Sequence, residues 1–112
     1  MNINFNRKEY QKLKQELKET AKEIRTTRLQ YKEAQRSHLY RVQAKLGWQL
    51  DELTYDFRHK HIAISEARGK TRDQIECPRK GNEPNEALIA KYRDRILTPE
   101  PQPELQEELC HA

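Results

Sequence analysis

Glycine is scarce in this 112-residue chain, with three, and so is proline, with five. Folds made of many short strands need turn residues at close intervals, so this scarcity weighs against a sandwich or a barrel. Large apolar side chains are thin as well: 34% of the residues are hydrophobic and 36% are charged. A chain of this size and composition buries little core of its own, which points to a second subunit or a binding partner as its complement. Cysteine occurs twice, at Cys77 and Cys110, with no CxxC and no repeated spacing; two free thiols are expected rather than a disulfide framework. The start, Met1 to Phe5, runs into Arg7 and Lys8 without entering an apolar stretch, so neither a signal peptide nor a membrane span is expected, and the expected location is cytoplasmic. There is no Gly-rich phosphate loop and no nucleophile elbow, and the only serines are Ser37 and Ser65, in stretches that read as helix. An enzyme is therefore not expected, nor is any cofactor.

What the chain does have is charge, unevenly distributed. Residues 1–50 carry 12 Lys/Arg against 5 Asp/Glu, residues 51–81 carry 7 against 6, and residues 82–112 carry 3 against 7. The N-terminal half is basic and the C-terminal end acidic, around a formal net charge of +4. An excess of this kind favours acidic partners such as nucleic acid, although a solvated helix face shows it too.

The fold class expected is all-α, with a long N-terminal amphipathic helix packed against two or three shorter ones. From Arg7 to Leu46 there is no Gly or Pro and strong helix formers dominate, which predicts one helix over about 7–46, with Asn6 as its N-cap. A 3,4 spacing runs through Tyr10, Leu13, Leu17, Thr20, Ile24, Thr27, Tyr31, Ala34 and His38, the spacing of a stripe that faces another helix. Thr20, Thr27 and His38 are poor seam residues, so packing within the fold is favoured over a parallel homodimer, which stays open. A second series, Leu39, Val42, Leu46, Leu50, Leu53, Phe57 and Ile64, predicts a helix over about 48–68, with Gly47 as the hinge between the two.

Gly69 reads as a left-handed C-terminal cap, and Thr71 with Gln74 as a capping box opening a short helix over about 71–76. A loop holding Pro78, Gly81 and Pro84 follows, then a helix over about 85–97. Residues 1–97 thus read as one helical domain, and the Pro/Glu-rich stretch 98–112 as a disordered tail. The order from Phe57 to Ile96, apolar helix, glycine turn, short helix, loop and further helix, is similar to a helix-turn-helix module, though its loop is long and Glu83 and Glu86 suit phosphate poorly.

The basic residues with fewest acids around them are Arg25, Arg28, Lys32, Arg36, Arg41 and Lys45, with Glu33 alone among them; a second group, Arg68, Lys70, Arg72, Arg79 and Lys80, surrounds the Gly69 turn. Both are candidate contacts for nucleic-acid backbone, DNA or RNA, or for an acidic protein surface. Trp48 and Tyr55 are candidate anchors of a protein interface, with core packing as the commoner use of a lone Trp. His59, His61 and Asp56 suggest a metal at first sight, but i,i+2 histidines on a helix point to different sides, so no metal site is expected; His61, near the apolar line through Phe57 and Ile64, is expected to be buried or half-buried and bonded to a neighbour. The function that follows is a non-enzymatic binding module contacting nucleic-acid backbone through the basic helix and the Gly69 loop. The rival is a protein-binding adaptor or inhibitor, of the kind carried by phages and plasmids, that lays its long helix along a partner protein.

Overall fold

The computed structural model describes residues 3–77 and 80–99. It is built on two long helices, α1 (Arg7–Arg36) and α2 (Tyr40–Ala67), packed side by side as a hairpin. A single turn, α3 (Arg72–Ile75), and an 11-residue helix, α4 (Glu86–Ile96), complete the helical part. Two three-residue strands, β1 (Ile3–Phe5) and β2 (Leu97–Pro99), pair antiparallel with Phe5 opposite Leu97 and Ile3 opposite Pro99. This ribbon was not expected, being too short to carry an alternating pattern. Its effect is to tie the start of α1 to the end of α4, a tie extended by the Asn6 N–H donating to the Ile96 carbonyl at 2.7 Å. Thr98 and Pro99 thus belong to the fold, whereas the rest of the expected tail lies outside the described residues.

Most of the predicted seam is used, but not its middle: His38, Leu39 and Val42 are exposed at the hairpin turn and the start of α2. Leu13, Thr20, Ile24, Thr27 and Ala34 are buried on α1, and Tyr10, Leu17 and Tyr31 half-buried. The threonines are tolerated there because a hydroxyl can be satisfied locally: Thr20 Oγ1 donates to the Glu16 carbonyl at 2.9 Å. From α2, Leu46, Leu50, Leu53 and Phe57 are half-buried and Ile64 is buried. Near the hairpin's open end Leu13 and Ile64 meet Ile96 of α4, and Ile62 and Ala63 meet Ile89. Fully buried apolar side chains are thus concentrated where three helices converge.

Where the hairpin turns is a correction to the sequence reading. The first helix ends at Arg36, not near residue 46, and α2 runs unbroken through Gly47. The end is a Schellman motif: the His38 N–H donates to the Gln35 carbonyl at 3.2 Å and the Leu39 N–H to the Ala34 carbonyl at 2.9 Å. His38 takes the left-handed conformation, φ 56°, that this motif usually assigns to glycine, so the helix stop carries no glycine to announce it. At the far end of α2 the same motif is built with Gly69, φ 92°, and there the sequence does announce it: Gly69 N–H donates to Glu66 and Lys70 N–H to Ser65. Gly47 is no hinge. It lies beside Tyr31, and a Cβ there would stand 3.6 Å from the Tyr31 ring, an ordinary contact.

Two glycine substitutions separate these roles. Gly47→Ala is expected to raise unfolding free energy by about 0.5–1 kcal/mol, since a helix-interior glycine carries an entropic cost and the added methyl makes only an ordinary contact with Tyr31. Gly69→Ala is expected to lower it by about 1 kcal/mol through its left-handed backbone. Urea denaturation midpoints check both, and destabilisation by the Gly47 change would contradict the continuous α2.

Candidate nucleic-acid interface

α4 lies across the open end of the hairpin, and its attachment begins at a fully buried histidine. The His59 Nδ1–H donates to the Tyr55 carbonyl at 2.7 Å, and Nε2 accepts the backbone N–H of Asn85 at 2.8 Å. The Asn85 N–H must be a donor, so this pairing requires the neutral ring with its proton on Nδ1. Asn85 also caps α4, its side chain accepting from the Leu88 N–H at 3.2 Å, and its Nδ2 donates to the Tyr55 hydroxyl at 3.1 Å. His59, not His61, is therefore the buried histidine; His61 is exposed and stacks on Phe57 with ring centroids 6.1 Å apart. His59 lies on the face of α2 away from its seam with α1 and packs against α4, a helix whose position the sequence did not supply.

The same end of the molecule uses up arginines. Arg72 donates to Glu66 at 2.8 Å and to Glu86 at 2.6 Å, joining α2, α3 and the start of α4. Arg93 holds the other Glu66 oxygen at 3.0 Å. Arg95 reaches from α4 to Glu9 and Glu16 on α1, at 3.0 and 3.1 Å. Arg58 clamps the loop after α3, bonded to Glu76 at 2.9 Å and to the Asn82 carbonyl at 2.7 Å. Beside it a cavity of about 360 Å³ is lined by Arg58, Arg72, Glu76, Cys77, Lys80 and Asn82. Its two arginines are already engaged, so what it offers a ligand is mainly Lys80.

These contacts correct the expectation for the Gly69 region. Arg72 is an internal tie, unavailable for phosphate while Glu66 and Glu86 hold it. Arg68 and Lys70 are exposed around the Schellman turn, Lys80 is exposed in the following loop, and Arg79 lies outside the described residues. The helix-turn-helix order is not realised either: α3 is a single turn, and α4 has its N-terminus capped by Asn85 and its Glu86 bound by Arg72.

On the other arm of the molecule the charges are arranged differently. Along α1, Arg7, Lys14, Lys18, Arg25, Arg28, Lys32 and Arg36 recur at intervals of 3, 4 and 7, which at 100° per residue places them on one flank. Glu9, Glu16 and Glu23, at i, i+7 and i+14, fall on roughly the opposite flank, and it is this acidic flank that α4 meets through Arg95. The basic flank therefore faces away from α4. All of its residues except the half-buried Lys14 are exposed. Among the described residues its one ion pair is the loose i,i+3 contact of Arg36 with Glu33, at 4.0 Å with both side chains more than 70% exposed. Over Arg7 to Arg36 the stripe extends roughly 45 Å at 1.5 Å per residue. Arg41 and Lys45 are exposed too, but on α2. The six basic residues singled out on the arm thus divide into four on the α1 flank and two on a separate α2 face.

Trp48 lies on that α2 face and is 76% exposed, contrary to the usual use of a lone Trp in a core; Tyr55 is 49% exposed. Between α1 and α2 lies a groove of about 420 Å³, lined by Lys22, Glu23, Thr27, Gln49, Glu52 and Leu53 among others. Among the described residues no three His, Cys, Asp or Glu side chains are grouped to hold a metal ion, and no helix is long and apolar enough to cross a membrane. No family model, curated protein or solved structure matches the chain.

The paired carboxyls make the α4 end sensitive to acid. Burial pushes Asp56 up, but hydrogen bonds from Lys60 and Tyr92 outweigh it and the carboxyl sits below its ordinary 3.8. The Arg58 hydrogen bond holds Glu76 below 4.5, and the Arg72 hydrogen bond does the same for Glu86. Burial and the Asp56 partner push the Tyr92 hydroxyl up to about 12, so it remains a donor at neutral pH. A depressed carboxyl contributes stability that is complete above its unfolded-state value and is lost as pH falls through the folded one. The contribution of these carboxyls to urea resistance should therefore be complete above about pH 5 and be lost progressively below about 4.5. Arg72→Ala should lower stability by about 1–2 kcal/mol at pH 7. Equal urea midpoints at pH 3 and pH 7 would contradict the ion-pair account.

Proposed function

We propose that this protein is a non-enzymatic binding module that holds nucleic-acid backbone along the basic flank of α1. The observation that carries this reading is the sorting of charge. The arginines of the α4 end are committed to carboxylates, whereas Arg25, Arg28, Lys32 and Arg36 stand exposed on one stripe of a projecting two-helix arm. A row of cations turning once per helical turn on a rigid rod suits a polyanion whose charges also repeat along a line, and each contact made with phosphate releases counterions. Backbone contact of this kind positions a nucleic acid without reading its sequence. The Gly69 region contributes less than its sequence suggested, because Arg72 is engaged internally.

The rival reading, a protein-binding adaptor, is favoured by one observation, the exposure of Trp48 and Tyr55 on α2. The two readings place their decisive residues on different faces, so they separate cleanly in experiment. The stripe predicts binding to labelled double- or single-stranded DNA or RNA that weakens steeply with salt, log K falling by about 0.7–0.9 per phosphate contact for each decade. Changing Arg28, Lys32 and Arg36 together to Ala should reduce the magnitude of that slope by about 2–3 while Trp48→Ala leaves it unchanged. An unaltered slope in the triple variant, or no binding by the unmodified chain at about 50 mM salt, would refute this function.

A further inference from the structure

α2 carries a second heptad stripe besides its seam with α1. Arg41, Lys45, Trp48, Glu52, Tyr55, His59, Ile62 and Glu66 follow one another at alternating intervals of 4 and 3, so they lie along a single face. Its C-terminal half is covered by α4: Tyr55 and His59 bond Asn85, Ile62 packs on Ile89, and Glu66 holds Arg93. Its N-terminal half, Arg41 to Glu52, is exposed, with Trp48 near the centre of the uncovered stretch. α4 begins only at Glu86, beside Tyr55, so it has no residues to extend over this part. An exposed Trp in the continuation of a buried interface stripe is the signature of a surface completed by another helix.

The charges on the bare half indicate which helix. Basic residues precede Trp48, at Arg41 and Lys45, and acidic ones follow it, at Asp51 and Glu52. That polarity makes the face complementary to itself when turned end for end. Two copies related by a two-fold axis through Trp48 run antiparallel, so residues before Trp48 in one copy lie level with residues after it in the other: Lys45 meets Glu52 on the same flank of the contact, Ala44 meets Asp51, Arg41 meets the Tyr55 ring, and the two Trp48 side chains pack together beside the small Ala44. Each pairing off the axis occurs twice. A nucleic acid is a poorer occupant, because Asp51 and Glu52 stand within one helical turn of Trp48 and repel phosphate. We infer that α2 is a homodimerisation surface: two copies of the chain associate through antiparallel α2 helices centred on Trp48. This interface uses neither Arg25, Arg28, Lys32 nor Arg36, and it stands whether or not the chain binds nucleic acid. The paired stretch, Arg41 to Tyr55, is about 21 Å long. A contact of that length is at the small end of specific interfaces, so association in the micromolar range and visible concentration dependence are expected.

Lys45 and Glu52 are both exposed and seven residues apart on one helix, which allows a charge-exchange test on the full chain. Light scattering with sedimentation, over about 1 µM to about 1 mM protein, should show monomer passing to dimer. Trp48→Ala should weaken the dimer at least tenfold with far-ultraviolet circular dichroism unchanged, since the side chain supports nothing within its own copy. Lys45→Glu and Glu52→Lys should each weaken it by roughly tenfold, because each sets like charges together at both ends of the contact. An equimolar mixture of the two variants should recover the dimer, since every unlike pair is restored. A chain that stays monomeric throughout, a Trp48→Ala dimer as tight as the original, or a mixture no tighter than its components would each overturn the inference. So would a monomeric chain whose Trp48 fluorescence is quenched by an oligonucleotide, which would assign the face to nucleic acid instead.

Discussion

An 11-residue helix lies against a pair of helices nearly three times its length, and that mismatch governs the rest of the molecule. Where α4 reaches, three helices enclose Leu13, Ile62, Ile64, Ile89 and Ile96, and the surrounding arginines find carboxylates across element boundaries. Beyond it only the α1–α2 seam remains. A two-helix layer shields one stripe of each helix and leaves the other faces in water, so among the described residues the cations of the basic flank acquire no ion-pair partner beyond the loose Arg36–Glu33 contact, and the tryptophan no cover. The segregation of paired from unpaired charge is thus a consequence of length, set by where α4 starts and the hairpin turns.

The docking of α4 depends on a small number of groups. His59 joins the backbone of α2 to the first turn of α4 through one neutral ring, Arg72 joins three elements, and Arg95 joins α4 to α1. These interactions are directional and specify how α4 lies, while Ile89 and Ile96 supply the apolar burial that holds it there. The arm has neither resource. Its seam includes Thr20, Thr27 and Ala34, which bury little apolar area, so its local stability is expected to be lower than that of the three-helix end. A stiff but thinly packed projection is suited to contact with a partner along its length.

Local signals made much of this legible in the sequence. The α1 seam from Leu13 to Ala34 follows from spacing alone, and Asn6, Gly69 and the Thr71–Gln74 pair mark helix boundaries where the structure has them; the Thr71 N–H donates to Gln74 Oε1 at 3.0 Å. The hairpin turn was missed because His38 occupies a position that glycine usually marks, while Gly47, the residue that resembled a break, lies in the middle of α2. The engagement of Arg72 and the burial of His59 were missed for another reason. Their partners, Glu86 and Asn85, are 14 and 26 residues away and come near only once α4 has docked. The arm's basic flank was readable as a composition, but its separation from Arg41 and Lys45 required knowing that the chain reverses between Arg36 and Tyr40. Trp48 ran against expectation because a lone tryptophan is ordinarily spent on a core, and here α4 ends short of it.

The most direct test is to map contacts residue by residue. Nuclear magnetic resonance spectra of the chain, recorded during titration with a short oligonucleotide at low salt, should show shifts at Arg25, Arg28, Lys32 and Arg36. Arg72, Arg93 and Arg95 should hold their positions, because their guanidinium groups are committed to carboxylates. Shifts centred on Arg68, Lys70 and Lys80, or on the arginines of the α4 end, would contradict the claim that the fold sorts its charges into an engaged end and an available arm.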